Sequence, residues 1–233
     1  MAAPFGQAEA LLPGCRSIVV LGSGGSALWQ DLAEAVRSDP RRLTEHDHPL
    51  EDHVQRRVEE ADPHPLGRRW LYAADPRVPM QELALQAGLG TRSRLWLILH
   101  PHFGPWMALR AACLTTEVLP LDGPAQHPSP CEACSAPCVA ACPAEALSQG
   151  DLDWSRCIDH QATVDRCAPL CHSRRACPEG AQHAYSALQQ AYHRDPRAGR
   201  PAVASWLGVS DDRTPPAGRF TRLLRQRKDE LDG

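Results

Sequence analysis

The chain lacks a surplus of positive charge: 25 Lys and Arg stand against 28 Asp and Glu, a formal net charge of -3 over 233 residues. A nucleic-acid backbone is gripped by clustered cations that neutralise its phosphates, so no nucleic-acid partner is expected from this composition. The chain also lacks an apolar run of the roughly 18 to 20 residues that cross a bilayer. Its longest apolar stretch lies near RLWLIL at 94–99, and no membrane association is expected. The opening MAAPFGQAEALLPGCR has no cationic start before an apolar run, no twin arginine and no cleavage-like sequence. The expected location is therefore cytoplasmic. Outside the cysteine groups described next, no internal repeat or low-complexity array is present.

Cysteine is plentiful and concentrated. Of ten cysteines, Cys15 and Cys113 stand alone and the other eight fall between residues 131 and 177. In a reducing compartment such a cluster points to metal ligation rather than disulfides. The first group, CEACSAPCVAACP, places Cys131, Cys134, Cys138 and Cys142 at C-x2-C-x3-C-x3-C-P. A cubane 4Fe-4S cluster needs four converging thiolates, and small residues such as Ala133, Ser135, Ala136, Ala140 and Ala141 let a short loop close around it. The bacterial ferredoxin run is C-x2-C-x2-C-x3-C-P, with its fourth cysteine serving the other cluster. This chain carries one extra residue, in Ser135-Ala136-Pro137, where Pro137 can shape the loop.

The second group holds Cys157, Cys167, Cys171 and Cys177 and again ends in Cys-Pro. Eight ligands match two 4Fe-4S cubanes, and the crossing rule assigns Cys131, Cys134, Cys138 and Cys177 to one, Cys142, Cys157, Cys167 and Cys171 to the other. The leading reading is a ferredoxin-like electron-transfer protein served by a redox protein partner. A zinc-stabilised interaction module is an alternative, although structural zinc usually takes two C-x2-C knuckles set further apart. Cys15 and Cys113 receive no ligand role. Among the arginine pairs, Arg174 and Arg175 can face solvent or meet an acidic electron carrier.

Hydrophobic periodicity gives the organisation. SIVVLG at 17–22 predicts a buried strand, 27–39 a helix, 39–49 a loop and 49–61 a helix opened by proline and acids. WLYA at 70–73 and RLWLILH at 94–100 predict strands around a helix at 79–90, and 106–118 fits either strand or helix. This alternation predicts an α/β (α+β) domain over 1–122. The proline-rich stretch 119–130 marks the boundary with a small two-cluster domain at 123–200 that ends in a helix at 178–195; residues 201–233 read as a polar, partly disordered tail.

Weaker signals remain. Gly22, Gly24 and Ala27 satisfy G-x-G-x-x-A between strand and helix, where a tight glycine turn competes with a dinucleotide site. HPHFGPW at 100–106 suits either a pocket rim or a packed surface turn, with His100 and His102 on one side if the strand continues. Asp75, before Pro76, is a candidate general acid or a turn residue.

The succession PGCRSIVVLG, QAGLGTRSRLWLILHPHFGPWMALRAACLT and the two Cys-Pro groups, from about residue 13 to about 195, resembles the epoxyqueuosine reductase family. GSGGSALW, HPLEDHVQRRV and the C-x3-C-x5-C-P second group bring it nearest to that family's short ferredoxin-like relatives. The resemblance implies a first domain similar to the family's cobalamin-binding unit, with the clusters feeding electrons to a corrinoid. It thus raises a second reading, a corrinoid-dependent reductase, an oxidoreductase whose pocket is lined by Gly22, Gly24, Gly25, His100, His102 and Trp106. Asp75 meets the family's catalytic D-x-A-P-V-L-E stretch only if one residue of AADPRVPMQE is skipped. The helical-repeat domain that helps those enzymes hold transfer RNA has no counterpart, so the epoxyqueuosine reaction itself is not expected.

Overall fold

The computed structural model describes residues 4–63, 65–72, 78–120, 128–148, 151–163, 167 and 169–211. Helix α1, Pro4–Leu11, leads into β1, Ser17–Gly24, the strand that SIVVLG predicts. After a turn at Gly25, α2, Ala27–Ser38, buries Trp29, Leu32, Ala33 and Val36 along one stripe. The stretch expected as a loop contains a single helical turn, α3 (Arg41–Thr44), because Leu43 is drawn wholly into the core. Helix α4, Pro49–Ala61, starts with proline and places Glu51 and Asp52 in its first turn, where the helix dipole favours acids. Strand β2, Arg68–Tyr72, and α5, Met80–Gln86, follow. The Asp75 candidate lies outside the described residues.

RLWLILH is not one strand. Only Ile98–Leu99 of it is a strand, β4, which pairs across a turn with the two-residue strand β3, Thr91–Arg92, just before it. Ser93 causes the break: its backbone N–H and its hydroxyl both donate to Leu97 O, at 3.0 and 2.8 Å, and Trp96 takes a positive φ of 59°. The ambiguous 106–118 segment is a strand, β5, Met107–Thr115, buried along Ala111–Thr115 as a central strand should be. Strands β1, β5 and β2 form one antiparallel sheet in that order, with a register slip between Leu21 and Gly22. Helices α1 and α5 cover Leu114 and Ala112.

The second half is built from short helices: α6, Pro137–Ala140; α7, Trp154–Thr163; α8, His172–Ala176; α9, Ala187–Arg194; and α10, Pro196–Leu207. Its described residues make only a single isolated strand bridge, Leu147 to Leu152. The helix expected over 178–195 is divided into a 3-10 turn, Ala181–His183, and α9, whose start is capped by Ser186 Oγ accepting from Gln189 N at 3.1 Å. Helix α10 runs on past residue 200, into the stretch read from sequence as tail, because Val203 and Ala204 are buried. They pack with Trp29, Leu32, Val36, Leu43, Leu50 and Tyr192 in one core. The Tyr192 hydroxyl accepts from Leu50 N at 3.0 Å, so α9 caps the start of α4. The core therefore spans the expected domain boundary. No helix among the described residues is long and apolar enough to cross a membrane.

Candidate metal centre

The cysteine segment folds so that its thiols separate into two sets. Cys131, Cys134, Cys138 and Cys177 line one narrow cavity, about 20 Å³, together with Arg94, Leu95, Leu99 and Glu179. Burial first, then the neighbouring Cys131 and Cys134, raise the Cys138 thiol above its usual range. Burial likewise pushes Cys177 up to about 11, with Cys138 and Cys131 adding to it. Cys142, Cys157 and Cys171 line a second cavity of about 540 Å³. Cys167 joins that group electrostatically: burial, then Cys171, Cys157 and Cys142, raise its thiol, while Arg194 opposes them. Cys177 thus returns to the first set and Cys142 crosses to the second.

The residue added to the ferredoxin spacing has a definite place. Ala136 takes φ 59°, the left-handed conformation, and Pro137 then opens α6. Ala136 N donates to Cys134 Sγ and Ala146 N to Cys142 Sγ, each at 3.4 Å. Beneath the first cavity Leu95 and Leu99, held by the β3–β4 turn, pack with Cys138, Leu147 and Cys177 and exclude water. In the second, Gln161 Nε2 donates to Cys157 Sγ at 3.0 Å.

Among the described residues no three His, Cys, Asp or Glu side chains are gathered as a site for one metal ion. Eight thiols in two sets offer the donor type and number of two iron-sulfur clusters; the second cavity is roomy, and in the first the thiols would have to move apart to admit one.

The glycine and histidine candidates form a separate knot. Gly24 lies under the Phe103 ring, and a Cβ there would stand 2.2 Å from it. Gly25 holds φ +61° and donates its N–H to Trp106 O at 2.8 Å, while Gly22 sits at the register slip. These glycines are explained by close packing, and the antiparallel β1–β5 pairing is not the parallel strand-helix-strand of a dinucleotide site. The strand does not continue through His100: its Nδ1 accepts from His102 N and Phe103 N, at 3.1 and 3.3 Å, closing a turn. His102 packs on Phe103 and His183, with ring centroids at 4.7 and 4.4 Å. Trp106 is 1% exposed beneath Tyr185 and Arg174, so it is core rather than rim. None of these six residues lines either cysteine cavity.

Several residues that matter here were not evident from the sequence. Arg174, expected at the surface, is held inward: Nε and Nη2 donate to Pro105 O at 3.1 and 2.6 Å, and the guanidinium sits 4.8 Å from the Trp106 and Tyr185 rings. It therefore cannot greet an acidic carrier, and only Arg175 of that pair is exposed. Arg174, His193 and Arg194 line the second cavity. Burial, with Arg110 and Arg174 adding to it, pushes His193 down to about 3. The sequence did carry a signal for Gln161, which stands four residues after Cys157 on an amphipathic helix and so shares its face.

With the site in view, likeness to known proteins can be stated. No family model matches the chain. Over 84 residues, 36% of this chain and 25% of the relative, it is 38% identical to an epoxyqueuosine reductase of Synechococcus sp. (strain CC9605). The epoxyqueuosine reductase of Bacillus subtilis, solved with its catalytic aspartate loop swung out of the active site, superposes with a TM-score of 0.51. Over part of its sequence and in its fold the chain is similar to epoxyqueuosine reductases. The Bacillus match is 21% identical and covers 77% of this chain but 52% of that one, so the epoxyqueuosine reductase-like chain spans about half of that relative. The mixed α/β fold is shared more widely: a C. elegans B12-trafficking protein, CblC, superposes with a TM-score of 0.54 at 14% identity, covering 84% and 80% of the two chains. Another epoxyqueuosine reductase structure, with a TM-score of 0.52 at 16% identity and covering 94% of this chain and 65% of that one, holds a tRNA-Tyr stem loop. The expectation against nucleic acid, drawn from net charge, thus does not extend to every protein of this fold.

Proposed function

We propose that the chain holds two 4Fe-4S clusters, one on Cys131, Cys134, Cys138 and Cys177, the other on Cys142, Cys157, Cys167 and Cys171, and relays single electrons for a redox protein partner in a reducing compartment. One observation supports the reading: four cysteines line one cavity and three the other, with Cys167 electrostatically linked to the three, so that each set draws one member from the other cysteine group. Thiolate-bound clusters supply reversible one-electron transfer at potentials set by charge, hydrogen bonds and solvent access. The chain's own part is to hold the sulfurs, point the Ala136 and Ala146 amides at them, and keep water out with Leu95, Leu99 and Leu147. Anaerobic purification followed by iron and sulfide assay tests this. A brown protein with about eight of each per chain is the expected result; a colourless, zinc-loaded protein would refute it.

The second reading, a corrinoid-dependent reductase, is favoured by one specific finding, the 38% identity to an epoxyqueuosine reductase. The B12-trafficking fold supports it as architecture alone. On this reading the GSGGS and HPHFGPW segments would border the corrinoid and the clusters would be its electron source. Titrating the cluster-loaded protein with cob(II)alamin, followed by visible and paramagnetic spectra, separates the two. A saturable spectral change selects the reductase; none at high corrinoid leaves the electron carrier.

A further inference from the structure

We infer that Gln161 raises the reduction potential of the cluster on Cys142, Cys157, Cys167 and Cys171 through its hydrogen bond to Cys157 Sγ. This rests on the two-cluster reading above. Backbone amides serve both sets: Ala136 N donates to Cys134 Sγ and Ala146 N to Cys142 Sγ, both at 3.4 Å, and the amides of Val139 and Glu179 favour the charged forms of Cys138 and Cys177 in the first. The remaining surroundings do not match. The first cavity carries one residue of each sign, Arg94 and Glu179. The second carries Arg174 and Arg194, and its described lining includes no acidic side chain. Among the described residues a side-chain donor reaches a cysteine sulfur in the second set, Gln161 Nε2 to Cys157 Sγ at 3.0 Å.

Gln161 is fixed for this task. It is 6% exposed, sits one helical turn beyond Cys157 on α7, and also donates to Cys157 O at 3.2 Å. Its other amide atom, Oε1, accepts from Arg194 Nη2, so the NH2 group is the one left to face the sulfur. Reduction adds one negative charge to a cluster, and a donor or cation beside its sulfurs favours the added charge. Gln161 acts through Cys157 as a positioning residue.

The test is an anaerobic potentiometric titration followed by electron paramagnetic resonance, on full-length protein whose iron and sulfide have been counted. Gln161→Leu should lower the midpoint of one cluster by at least tenfold in the reduction equilibrium, about 59 mV for one electron, and leave the other in place. Gln161→Glu preserves the shape of the side chain while replacing the donor by an acceptor, and should lower the same midpoint further; it also serves if the leucine variant fails to load. Two loaded clusters whose midpoints both ignore the two substitutions would overturn this inference while leaving the cluster reading intact. A protein without iron would overturn both.

Discussion

His193 shows how strongly a single position can feel its surroundings. It packs among Trp29, Tyr185 and Tyr192, with ring centroids at 6.2, 5.1 and 6.1 Å, and its neutral form is enforced by burial and by Arg110 and Arg174. The unfolded chain takes up a proton near pH 6.5, whereas the folded protein refuses it until about 3. Stability is therefore complete above pH 6.5 and falls as pH drops towards 3, with a limiting slope of about 1.4 kcal/mol per pH unit. Urea unfolding of wild type and His193→Gln between pH 7 and 4.5 checks this: the wild-type midpoint should fall more steeply, and parallel curves would contradict it. Ala136 makes a different point at the same scale. Its left-handed backbone absorbs the residue by which this sequence departs from ferredoxin spacing, at a cost of roughly 1–2 kcal/mol that the surrounding loop must offset.

Among the elements, the contact between the 100–105 turn and the 178–183 turn decides how the cysteine segment sits on the sheet. Gly104 and Gly180 both hold positive φ, and a Cβ on either would enter the other turn, 2.0 Å from Glu179 O or 2.3 Å from Phe103 O. Gly104→Ala and Gly180→Ala should each cost about 2–4 kcal/mol, from left-handed strain plus overpacking. Chemical denaturation of each variant measures the loss, and an unchanged midpoint would mean the turns are not packed together. The sequence showed each glycine but not the partner it faces, because the approach joins segments some 75 positions apart. Where a signal was local it could be read: the apolar SIVVLG run gave β1, and the proline and acids of PLED gave the start of α4. RLWLILH misled because its apolar periodicity did not reveal that Ser93 bonds Leu97 and folds the run into a turn. The proposed cysteine allocation comes from spacing, whereas Gln161, Arg174 and Arg194 needed the folded helices to bring them alongside.

On the scale of the whole molecule, α9 and α10 complete a core begun by α2, α3 and α4. Residues 128–177 therefore lie between two portions of one hydrophobic unit, with Arg174 fastened to Pro105 and Leu95 and Leu99 set beneath the thiols. Stripping iron from the loaded protein with an anaerobic chelator should leave most of the helical circular dichroism intact, while proteolytic cuts appear within 131–177. Global loss of helix on chelation would show instead that metal holds the entire fold. Because the two portions of the core meet while the stretch between them carries the cysteines, the arrangement would behave like a clasped ring bearing a removable stone: on the cluster reading the setting could be emptied, refilled or damaged by oxidants while the band kept its shape for the next loading.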